Sequence, residues 1–163
     1  MIHFCLAHSA YHAHRALPPS HRRRLRVTVS LLGIAALLLQ FYVLLRPSSS
    51  QYCSQPLLNN LVGSIVFTYF TIGFSVLLTH MEPAPRALKR MFSVFGVGSF
   101  GEGVCTVVLT ALAADCEKTT PELYYLSVLL SGSSVVSTVL FSGQGLLWLA
   151  SVICARPGAK PTA

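Results

Sequence analysis

Four stretches of this chain stay apolar for long enough to cross a bilayer, at about 27–45, 57–79, 91–114 and 123–154. A helix needs about 20 such residues to span a hydrocarbon core of ~30 Å, so each stretch predicts a transmembrane helix. The fourth is too long for that thickness at about 1.5 Å per residue and must tilt, kink or project. Polar punctuation separates the four: a serine-rich segment at 47–56, a basic turn at 80–90 holding Pro83 and Pro85, and an acidic turn from Asp115 to Glu122. The pattern predicts an all-α membrane protein, a four-helix transmembrane bundle occupying 27–154 between a tail at 1–26 and a short tail at 155–163.

Composition agrees with the pattern. Of 163 residues, 53% are hydrophobic and only 10% charged, and the mean hydropathy is +0.61, whereas a soluble domain carries about a quarter charged residues. The first stretch is not a signal peptide by its flanks, because Arg46-Pro47 follows it in place of a small-residue cleavage site.

The net charge of +7 lies in the tails and connections, which makes it a topology signal and not a nucleic-acid surface. The first tail, the 80–90 turn and the last tail hold five, three and two Lys or Arg, against one each in the other two connections. Ten against two predicts cytoplasmic termini, with the loops of Cys53 and Cys116 on the far side. Residues 1–26 carry five histidines and five arginines with no acid, and Pro18-Pro19 interrupt any helix, so the segment reads as a flexible, His-rich cytoplasmic tail. Arg22, Arg23, Arg24 and Arg26 would hold it to anionic headgroups. His8, His12 and His14 lack co-ligands nearby, so no metal is expected, and no cofactor.

Glu102 stands in the middle of the third stretch, far from either end. A carboxylate there costs at least about 2.5 kcal/mol, which predicts a neutral, hydrogen-bonded acid or contact with water. Counting turns from each face places Thr68, Tyr69, Ser137 and Thr138 at its depth and Gln40 and Gln144 within about two turns, and Glu102, Thr68, Tyr69, Thr138 and Gln144 form the expected intramembrane polar cluster. The glycines around it spell GxGxxG from Gly96 to Gly101, but no strand precedes them, and close helix packing explains them better than a dinucleotide. Small residues recur along the fourth stretch, among them Gly132, Gly143 and Gly145, suggesting that it faces protein.

Cys53 and Cys116 each lie in a far-side loop where thiols oxidise, and are disulfide candidates. Cys154 beside Arg156 is a palmitoylation candidate. No GxSxG, HExxH or paired-carboxylate arrangement is present, so an enzyme is not expected.

Four spans, cytoplasmic ends, short outer loops and a length near 160 residues resemble the MARVEL-domain group of MAL-like and plasmolipin-like proteins. That resemblance implies a non-enzymatic role in membrane organisation or vesicle traffic, and it transfers no functional residue. The expected partners are the bilayer with its anionic lipids, other membrane proteins or a second copy. The expected location is the plasma membrane or an endomembrane, with the mitochondrial inner membrane as the alternative. The rival function is a small channel or transporter subunit with Glu102, Tyr69, Thr138 and Gln144 along an ion or proton path.

Overall fold

A computed structural model describes residues 2–50, 55–81, 84–113 and 115–154. They form helices without a strand: α1 (Ile2–Ala16), α2 (Pro19–Leu44), α3 (Leu57–His80), α4 (Arg86–Leu112), α5 (Cys116–Thr119) and α6 (Pro121–Cys154), with a 3-10 turn at Pro47–Ser50. Four of them, α2, α3, α4 and α6, are long and apolar enough to span a membrane. Two begin earlier than hydropathy predicts. Proline at the first turn of α2 presets a helical φ, and the arginines after it continue the helix well, so helix extends beyond the bilayer-thick apolar part. The same holds for α4, where Arg86 to Arg90 add a basic turn before Met91.

The short connections set the long helices in alternating directions. One end of the bundle, here the basic end, carries Arg22 to Arg26 and the Arg86, Lys89 and Arg90 turn. The other carries Cys116, which is fully buried. At that Cys116 end, Arg46 Nε lies 3.4 Å from Glu122 Oε2, and the Tyr42 hydroxyl first, then Glu122, hold the Arg46 guanidinium above its ordinary pKa. Solvent screens so exposed a pair.

Residues 2–16 are not the flexible tail the sequence suggests. They form α1, which turns back at Pro18 and packs against α2, α3, α4 and α6. Its buried face is His3, Ala7, Ala10 and His14, a helical spacing in which two alanines permit close approach. At about 1.5 Å per residue α1 is roughly 22 Å long, so it reaches from the basic end to past the middle of α3. Its histidines did not read as apolar, yet their rings stack on Phe67, Phe92 and Phe4.

Two apolar clusters fill the bundle. Toward the Cys116 end lie Leu37, Leu57, Leu61, Ile65, Leu123 and Leu126. Toward the basic end Ala7, Phe74, Leu78, Leu88 and Phe95 pack with Phe4 and Phe92. α3 is the central helix, with 44% of its apolar window buried against 17–22% in the other three. Two close approaches need glycine: a Cβ on Gly33 would meet Ile72 at 2.6 Å, and one on Gly96 would meet the Phe4 ring at 2.9 Å. The small residues of α6 behave otherwise. Space is open around Gly132, Gly143 and Gly145, so within this chain they do not serve the packing that the sequence suggested.

Candidate functional site

Between the two apolar clusters lies a polar layer that joins four helices. Gln40 of α2 donates from Nε2 to Thr68 Oγ1 of α3 at 3.2 Å. The Thr68 hydroxyl in turn donates to the Ser64 carbonyl one turn earlier, at 2.8 Å. Ser64 Oγ lies 3.5 Å from His3 Nε2, and the same nitrogen lies 3.9 Å from Glu102 Oε2 of α4. Beyond the acid, Thr106 Oγ1 sits 2.9 Å from the Glu102 carbonyl and 3.2 Å from its Oε1, and accepts from Asn60 Nδ2 at 3.0 Å. A neutral acid within such hydrogen bonds is tolerated where an isolated carboxylate is not.

α1 owes its position to this layer. Its N-terminal turn enters the bundle carrying amide hydrogens that have no partner within the helix. Ser99 of α4 takes one of them, from Phe4 N to Oγ at 3.3 Å. Thr71 of α3 donates to the His3 carbonyl at 3.4 Å. Cys5 Sγ points to the Ser137 carbonyl of α6 at 3.6 Å, and Phe4 stacks on Phe92 with ring centroids 4.8 Å apart.

The predicted cluster around Glu102 is only partly assembled. Thr68 belongs to the layer through Gln40 and Ser64. Tyr69 does not: it is exposed on the outer side of α3 with its ring edge against Phe41. Thr138 donates to the Ser134 carbonyl of its own helix at 2.8 Å and lines a groove between α4 and α6. Gln144 is exposed. The partners that sequence reasoning missed are His3, Ser64, Thr106 and Asn60. Thr106 had a signal, since it lies one turn after Glu102 and neighbours it on any helix.

The remaining candidates are separated. Arg22 Nε turns back to the Leu17 carbonyl at 3.0 Å, while Arg23 and Arg26 border a groove with His80, and Arg24 is exposed. The His8 and His12 rings approach to 4.4 Å between centroids, but no group of three metal-ligating side chains gathers among the described residues. Cys53 lies outside the described residues, and so does the side chain of Cys154. Comparison with family models, curated proteins and solved structures finds no match to this chain.

Proposed function

We propose that this chain is a non-enzymatic, multi-pass membrane protein that organises membranes, vesicle traffic or a partner complex through helix packing, in the manner of the MARVEL-domain group. The observation that carries this reading is the hydrogen bonding of the polar layer across helices. Each of its groups bonds to a neighbouring helix or to its own, and a cavity of about 130 Å³ beside it is lined by His3, Gln40, Thr68 and Thr71. Such a layer ties helices together. The open glycines of α6 support the same reading, because small residues let a second helix approach closely. By the distribution of Lys and Arg, the basic end faces the cytoplasm of the plasma membrane or an endomembrane. Cys116 is proposed to pair with Cys53 on the opposite side.

One observation favours the rival: two titratable groups, His3 and Glu102, face each other inside the bundle, as a proton-transfer pair would. Liposomes holding a pH-sensitive dye and a membrane potential separate the two readings. The organising role predicts no flux above empty liposomes for wild type or Glu102→Gln. A wild-type flux that Glu102→Gln abolishes would make this a transport protein.

A further inference from the structure

At the basic end, the start of α2 and the end of α3 border a shallow, open groove of about 430 Å³. Its two parts differ in chemistry. Arg23, Arg26 and His80 stand at its mouth, while Val27, Leu31 and Val76 form its apolar wall. Residues 23, 26, 27 and 31 recur at helical spacing on one face of α2, so the cationic mouth and the wall form one continuous strip, about 12 Å long from Arg23 to Leu31. The wall faces outward: Val27 is 52% exposed, Leu31 60% and Val76 38%.

We infer that this groove is a binding site for one anionic phospholipid, with its phosphate between Arg23 and Arg26 and an acyl chain laid along Val27 and Leu31. Charge complementarity selects the headgroup, since guanidinium forks match phosphate oxygens. The apolar strip selects a lipid over a free anion, which would leave the wall uncovered. The site rests on the reading of α2 as a membrane span, which sets the arginines at headgroup level. It also sorts the basic cluster, because Arg24 does not line the groove and Arg22 is turned to Leu17.

The test uses the full chain reconstituted in phosphatidylcholine nanodiscs doped with phosphatidylserine, followed by native mass spectrometry of the lipid retained on release. Wild type is expected to keep one phosphatidylserine in preference to phosphatidylcholine. A basic residue at an anionic surface is worth about a factor of five, so Arg23→Ala with Arg26→Ala should weaken retention roughly thirtyfold, whereas Arg23→Lys with Arg26→Lys keeps most of it. Arg24→Ala should change it less than about twofold, and Leu31→Trp, which fills the strip, should lower it with all arginines present. Inorganic phosphate at millimolar concentration should not displace the lipid. If Arg24→Ala weakens retention as much as the double variant, the attraction is diffuse and the site does not exist; displacement by phosphate overturns it in favour of an anion site. Failure of the wild type to enter nanodiscs would instead overturn the membrane reading itself.

Discussion

Replacing Glu102 by glutamine leaves an acceptor beside the Thr106 hydroxyl, 3.2 Å from the present Oε1, and adds an amide donor on the side of His3. Thermal stability in detergent should therefore stay within about 0.5 kcal/mol of wild type. Glu102→Leu removes both and should lose about 0.6–2 kcal/mol, the range of interhelical hydrogen bonds in membranes. Equal losses for the two variants would show that the acidic proton itself is needed, and the structural role would fall. The sequence made Glu102 conspicuous because an acid inside an apolar run is rare. It did not reveal the acid's neighbours. Turn counting from the membrane faces gives height but not azimuth, so Tyr69 and Thr138 matched Glu102 in depth while projecting from other sides of their helices. Thr68 lies in the layer, bonded to Gln40 and to the Ser64 carbonyl.

Among the helices, α1 carries the strongest expectation. Gly96 gives Phe4 its place, and the side chain introduced by Gly96→Val would collide with that ring; overpacking of this kind costs about 1–3 kcal/mol. Undocking is read at Cys5, half-buried against Ser137. Its maleimide labelling, followed by peptide mass spectrometry, should quicken about fivefold or more in Gly96→Val. Gly101→Val, which meets no atom within 4 Å at its Cβ, should leave the rate unchanged, and a similar rise in both would dissociate Gly96 from α1. The four long helices were legible because a bilayer-length apolar run needs no tertiary information. α1 was not, because four histidines followed by a proline pair resemble a solvated tail. Only the His3, Ala7, Ala10 and His14 spacing hinted at a packed face, and alanine contributes little to a hydropathy signal.

For the molecule as a whole, the proposed Cys53–Cys116 bond would tie the α2–α3 connection to the turn before α6. Closing a loop of about 60 residues contributes a few kcal/mol in the chain-entropy account. Reduction of the protein in native membranes should free both thiols together and lower the melting temperature; full labelling of either before reduction would refute the pair. The orientation has its own check. Maleimide too polar to cross a bilayer should reach a cysteine placed at Lys89 only after permeabilisation of intact cells, and labelling without permeabilisation would invert the topology.

The docking of α1 also sets an order in time. Its contacts with α4 and α6 lie with residues made much later, Ser99 at 95 positions after Phe4 and Ser137 at 132 positions after Cys5. At about 5–20 residues per second of synthesis, α1 waits on the order of ten seconds for those neighbours to exist. During that interval α2 and α3 are already made and can receive it, but the bundle that buries it is incomplete. A nascent chain arrested before α6 should hold Cys5 open to a thiol reagent, and release of the finished chain should close it. Among the described helices, α1 is made before every partner it packs against.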